Sequence, residues 1–261
     1  MNLLLLWGLL LGPAFVPSSD RIGSRFTPPM GAIRVTLPAH SFGAYLRDLP
    51  LLPAGSAVRT YDGGLKQRQD VHAAVIDISV GDRDLQQCAD AVMRLRAEHL
   101  FAEERYEEIV FSFTNGFRAD FVRWSHGERI QVRGNACTWV RTSGPDASHK
   151  ALLAYLNKVF TYAGTLSLSR ELRSASHLPM EIGDVFIQGG SPGHAVIVVD
   201  LAHTADGRNA FLLAQSYMPA QQIHVLKNLA HPDHGAWFIE GEDEDLRTPE
   251  WTFRWEDRKR W

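Results

Sequence analysis

Cysteine is scarce in this chain: its 261 residues include two, Cys88 and Cys137. Two thiols allow one bridge at most, which excludes a disulfide-stapled scaffold and a cysteine-rich metal cluster. Basic runs are missing too. The longest is Arg258-Lys259-Arg260, and with a formal net charge of −3 nothing suggests a nucleic-acid partner. No apolar run reaches the ~20 residues of a membrane-spanning helix. No internal repeat or low-complexity linker divides the chain. What remains is ordinary for a globular protein, 45% hydrophobic and 22% charged, with enough chain for one sizeable core.

The N-terminus carries the one targeting signal. Leu3 to Leu11 is apolar except for Gly8 and is followed by Gly12-Pro13-Ala14 and Pro17-Ser18-Ser19. This is the length of a secretory h-region, although no Lys or Arg precedes it. The expectation is a signal peptide over residues 1–19 and a single α+β domain over 20–261, exported to the periplasm or beyond the cell, with no stable membrane span after processing. In that compartment Cys88 and Cys137 could pair, or one could be a reactive thiol and the other a bystander. The sequence leaves both open.

Periodicity and turn signals predict strands at Val58–Tyr61 and Val71–Ile78. A long helix follows from Leu85 to about Glu104, capped by Asp82 or Asp84. Next comes a hairpin, Ile109–Phe113 and Phe117–Trp124, around Thr114-Asn115-Gly116. Glu128–Arg133 and Thr138–Arg141 extend the β segment, and helices are expected at Ser148–Phe160 and Leu166–Arg173. The C-terminal third reads as strands: 184–187, 194–201, 211–215, 223–226, 236–239 and 251–255. Helices grouped ahead of antiparallel strands indicate α+β architecture.

Two residues stand out chemically. Cys88 falls in the first turns of the long helix, where unpaired N–H groups and the macrodipole favour a thiolate and an oxyanion. The competing reading is a small buried hydrophobe on the face shared by Leu85, Ala89 and Val92. His194 opens the most apolar strand, Ala195-Val196-Ile197-Val198-Val199. It is either a satisfied core histidine or a rigidly held general base. The preceding Gly189, Gly190, Ser191, Pro192 and Gly193 let a backbone or a substrate approach closely. Antiparallel pairing with Phe211–Gln215 would bring Gln215 level with His194, as the group that orients the imidazole. Ser216 is its understudy, and Asp200 lies at the wrong end of the strand. His224, His231 and His234, with Asp233, are read as loop residues because of Pro232, so no metal or other cofactor is expected.

The segment Gly183-Asp184-Val185-Phe186-Ile187, the glycine loop and His194–Val199 together resemble the Gly-Asp…His pattern of NlpC-type, papain-like cysteine peptidases and amidases. The resemblance implies an antiparallel sheet packed on a Cys-bearing helix, with Cys88 as nucleophile, His194 as base and Gln215 as orienter. Tyr61, ahead of Gly63-Gly64, would take an oxyanion role. The chain departs from that family at the thiol, where Gln87-Cys88-Ala89-Asp90 replaces Asp-Cys-Ser-Gly. The 106 residues from Cys88 to His194 also imply a hairpin and helix insertion. Asp84–Val92 and Leu213–Pro219 resemble an uncharacterised family of exported bacterial proteins, which brings no activity. The function implied is a thiol hydrolase or acyltransferase acting on an amide, with a cell-wall peptide or glycopeptide as substrate. The alternative is a non-catalytic envelope-binding module that uses Gly189, Gly190, Ser191 and nearby aromatics. Oligomeric state is not legible.

Overall fold

A computed structural model describes residues 20–261, so the expected signal segment lies outside the described residues. The elements run α1 (Ile22–Arg25), β1 (Ile33–Arg34), α2 (Phe42–Arg47), β2 (His72–Val75) and α3 (Cys88–Ala102). There follow β3 (Val110–Ser112), β4 (Arg118–Asp120), α4 (Phe121–Ser125), β5 (Glu128–Arg133), β6 (Ala136–Arg141), α5 (His149–Tyr162) and α6 (Thr165–Glu171). The C-terminal part contains β7 (Arg173–Ser174), β8 (Val185–Gln188), β9 (His194–His203), β10 (Asn209–Gln215), β11 (His224–Leu226) and β12 (Phe238–Ile239). It ends with β13 (Leu246–Arg247), β14 (Thr252–Phe253) and β15 (Arg258–Arg260).

The architecture is mixed α+β, built on a nine-stranded sheet in the order β2-β11-β10-β9-β8-β15-β7, with β1 beside β9 and β12 beside β10. All its pairings are antiparallel. β9 is the spine, and every residue in it except His203 is buried. Its lack of apolar/polar alternation follows from being covered on both faces. α3 packs against it. Phe253 and Trp255 close over Phe186 and Phe211 of the neighbouring strands β8 and β10. Between α3 and the C-terminal strands, β3–β4 and β5–β6 pair only within their own hairpins. These hairpins, with α4, α5 and α6, occupy the chain between the thiol and the imidazole.

The Gly183-Asp184 motif has a structural job here. Asp184 is fully buried, accepting from Arg258 Nη1 at 2.6 Å, Arg260 Nε at 2.6 Å and the Glu181 N–H at 3.0 Å. It therefore ties β8 to the C-terminal strand. Gly183 has φ +100°, and a Cβ there would lie 2.8 Å from the Phe42 ring, so only glycine fits.

Three expectations are corrected. The strand predicted over Phe117–Trp124 stops at Asp120, whose carboxylate accepts from the Arg123 N–H at 3.2 Å and caps α4. Val58–Tyr61 forms only the isolated bridges Arg59↔Leu65 and Thr60↔Gln221. The long helix begins at Cys88, not Leu85, because Asp84 is engaged elsewhere: its Oδ1 accepts from the Ala220 N–H at 2.7 Å and from Gln87 Nε2 at 3.1 Å. Gln87 is the N-cap, and its N–H donates to Asp90 Oδ2 at 3.1 Å. Cys88 is thus the first residue of the helix, with its backbone N–H among the unpaired donors.

Candidate active site

His194 and Gln215 meet through strand register. Ala214 pairs with Ile197 across β10 and β9. Gln215 is one residue beyond Ala214 and His194 three before Ile197, so both side chains lie on the face opposite that pair. His194 Nε2 and Gln215 Oε1 are 2.8 Å apart.

The direction of that bond is fixed from behind. Gln215 Nε2 lies 2.7 Å from Glu250 Oε2 and 3.3 Å from His224 Nε2. A carboxylate only accepts, so Gln215 must turn its NH2 toward Glu250 and its carbonyl toward His194. His194 therefore donates from Nε2, and in the neutral ring Nδ1 keeps its lone pair as a base. His224 is likewise assigned: Nδ1 donates to the Gln222 carbonyl at 2.9 Å, leaving Nε2 to accept from Gln215. Glu250 is held in turn by Lys66 Nζ at 2.7 Å, with the two side chains 8% and 4% exposed.

Aromatic rings fix the imidazole sterically. Tyr217, Trp251 and Phe253 have centroids 5.0, 5.4 and 6.0 Å from that of His194. The Trp251 indole donates to Gln188 Oε1 at 3.0 Å, which anchors this cover to the strand beside His194.

Cys88 and His194 line one cavity of about 290 Å³, together with Asp90, Thr165, Gly190, Ser191, Tyr217 and Trp251. The backbone N–H groups of Ala89, Ala195 and Cys88 itself favour the thiolate. These donors are outweighed. Burial, reinforced by Asp90, pushes the Cys88 thiol up to about 11. Burial also holds His194 down at about 4, although its bond to Gln215 and the Glu250 charge favour protonation. Asp90 is buried as well, and its carboxyl stands well above the usual range, chiefly through desolvation. Both shifts favour a thiol and a neutral imidazole lining the same cavity over an ion pair.

The remaining sequence candidates fall in different places. Gly190 and Ser191 line the cavity. Gly189 lies outside it, packed on α6 so closely that a Cβ would be 2.8 Å from Ser169 Cβ. Thr165 Oγ1 donates to the Gly190 carbonyl at 3.1 Å, so the glycine loop is a wall braced by α6. Tyr61 is not among the lining residues; its N–H donates to the Ala220 carbonyl at 2.9 Å. Ser216 donates to the carbonyls of Gln86 and Gln221, positioning the approach to α3. Asp200 binds Arg34 and Arg47. Cys88 and Cys137 are both free thiols. Glu250, Lys66 and Tyr217 were missed as site residues. Glu250 and Lys66 carry no local signal, being 35 residues from Gln215 and 184 from Glu250 respectively. A larger cavity of about 590 Å³, bordered by Leu37, Phe42, Arg96, Ile182 and Trp261, contains neither cysteine nor histidine. No helix among the described residues is long and apolar enough to cross a membrane.

Residues 22–260 match the family described as Domain of unknown function (4846), DUF4846, and the chain belongs to it. No curated protein and no solved structure matches the chain.

Proposed function

We propose that this DUF4846 member is an exported thiol hydrolase or acyltransferase of papain-like, NlpC-type architecture, acting on an amide in a cell-wall peptide or glycopeptide. The observation carrying this reading is that Cys88, first residue of its helix, shares a cavity with an imidazole whose far nitrogen is committed to Gln215. The reaction begins when a substrate carbonyl displaces water. The Cys88 sulfur bonds to the carbonyl carbon as its proton passes to His194 Nδ1. Because the resting pair is neutral, proton transfer accompanies attack instead of preceding it. The backbone N–H groups at the start of α3 receive the oxyanion. His194 then protonates the departing amine, leaving a thioester on Cys88. Water, deprotonated by the same nitrogen, attacks the thioester; the C–S bond breaks to release the acid, and His194 returns the proton to the Cys88 sulfur. An amine in place of water gives transfer.

A second reading rests on that same neutral pair: a binding module that retains the fold and the cavity without chemistry. Incubation with cell-wall peptides followed by mass spectrometry separates the two. The enzyme reading predicts cleaved products, each bond broken taking up one water, or amine-exchanged products, in either case absent with Cys88→Ala. Unchanged peptides that nevertheless bind the protein would establish the module.

A further inference from the structure

His231, His234 and Glu242 lie apart from the cavity, and each offers one ligand atom within 4.8 Å of the others. His231 caps and His234 ends a 3-10 turn, Pro232–His234. Their spacing of three residues places both side chains on one side of that turn. The turn is fixed by its backbone: the His231 N–H donates to Asn228 Oδ1 at 3.1 Å, and the His234 N–H to the His231 carbonyl at 3.1 Å. Glu242 arrives on the loop after β12, where the adjacent Asp243 is held through its carbonyl by the Trp255 indole at 3.2 Å.

The polar atoms are arranged for a cation. His231 Nε2 is 3.0 Å from Asp243 Oδ2, which leaves Nδ1, 3.7 Å from Glu242 Oε1, as the nitrogen facing the cluster. His234 Nε2 is 2.9 Å from the same oxygen. Glu242 Oε2 is buried and has no partner among the described residues. Donors about 2.0–2.1 Å from a tetrahedral metal are about 3.3 Å from one another; the two His–Glu242 separations, 2.9 and 3.7 Å, bracket that value, and all three ligand atoms lie within 4.8 Å. A carboxylate on the outer nitrogen of a ligand histidine is the usual support for a metal-binding imidazole.

We propose that His231 Nδ1, His234 Nε2 and Glu242 bind one zinc ion, with Asp243 orienting His231. Two imidazoles and a carboxylate suit zinc. The adjoining cavity is only about 10 Å³, too small for a substrate, and water completes the coordination of three protein ligands. The ion clamps the loop after β11 to the loop before β13. That second loop leads, through β13, to Glu250, which holds Gln215, and to Trp251, which packs on His194. The sequence reading grouped His224 with these histidines, but His224 is fully buried against Gln215 and belongs to a different cluster.

The test is titration of the chelator-treated full chain with zinc sulfate, followed by calorimetry and thermal unfolding. Wild type takes up one equivalent and its Tm rises by several degrees. His234→Ala and Glu242→Gln lose the uptake and the Tm shift, and Asp243→Asn weakens binding about 10–100-fold. Cys88→Ala, which removes the other conceivable thiol ligand near a histidine, still binds. Failure of wild type to take up an equivalent overturns the proposal, as does uptake that survives in His234→Ala or disappears in Cys88→Ala. Because the readouts are uptake and unfolding, the outcome is independent of any hydrolase activity.

Discussion

Replacing Glu250 by glutamine removes one charge from a buried pair and leaves the other in place. Lys66 and Glu250 are 4% and 8% exposed and 2.7 Å apart, so the ammonium would be left without a counter-charge in a site closed to bulk water. Removing one member of such a pair typically costs 3–5 kcal/mol. The Tyr217 ring, 5.0 Å from Lys66 Nζ, offsets part of this, roughly 1 kcal/mol. A net loss of about 3 kcal/mol is expected for Glu250→Gln in urea unfolding at 25 °C. Lys66→Met/Glu250→Gln removes both charges and should cost less than either single change, giving a double-mutant coupling of at least about 2 kcal/mol. The substitution also releases Gln215, because an amide at position 250 no longer dictates which end of Gln215 faces it. Nitrogen-15 NMR should then show the His194 ring moving from a single Nε2–H tautomer to a mixture. Single variants costing under 1 kcal/mol, additive in the double variant and with an unaltered tautomer, would refute the chain of constraint from Lys66 to His194.

Two further outcomes follow from the same geometry. Gly193→Ala places a Cβ 2.5 Å from Thr165 Oγ1 and 2.7 Å from the Gly190 carbonyl, so it should destabilise by about 1–3 kcal/mol and disturb the cavity wall. A variant as stable as wild type would show that the loop is not braced on α6. Stability should also fall in mild acid. His194 and His224 are held near 4 and 3 in the folded chain against 6.5 unfolded. Folded values below unfolded ones give stability that is complete above pH 6.5 and is lost as pH falls toward the folded values. By pH 5 the loss is about 2 kcal/mol for each histidine. Asp90, whose carboxyl is raised in the folded chain, offsets part of this, so the comparison is with His194→Gln. A pH dependence between 7.5 and 5 identical in wild type and variant would contradict neutral burial of the ring.

Much of the sheet was legible because buried strands announce themselves: β9 and β10 were predicted almost to their ends, and antiparallel pairing sufficed to place Gln215 beside His194. The start of α3 was not. Asp84 looks like a cap by local chemistry, yet the Ala220 N–H claims it, a contact between residues 136 positions apart that no local pattern reveals. Glu250 was opaque for the same reason. In Thr248-Pro249-Glu250-Trp251 it reads as a solvated turn residue, and only the tertiary fold buries it against Gln215 and Lys66. The Gly183-Asp184 motif was visible, but its work is structural, through Arg258 and Arg260. The protonation states were equally hidden. A helix N-terminus lowers a thiol pKa, and the sequence shows the helix; it does not show the burial that outweighs it at Cys88.

The central claim is that Cys88 and His194 act as one nucleophilic unit. The most direct test is the rate of covalent labelling of Cys88 by a thiol-directed acylating probe at pH 7.5, with the modified residue identified by mass spectrometry. With the thiol held near 11, unassisted attack should be about 100-fold slower than for a free cysteine near 9, so labelling at or above the free-cysteine rate requires assistance from the imidazole. The account predicts such labelling in wild type and a fall of 100-fold or more in His194→Ala, the typical contribution of a general base. Wild type and His194→Ala labelled at the same slow rate would contradict it.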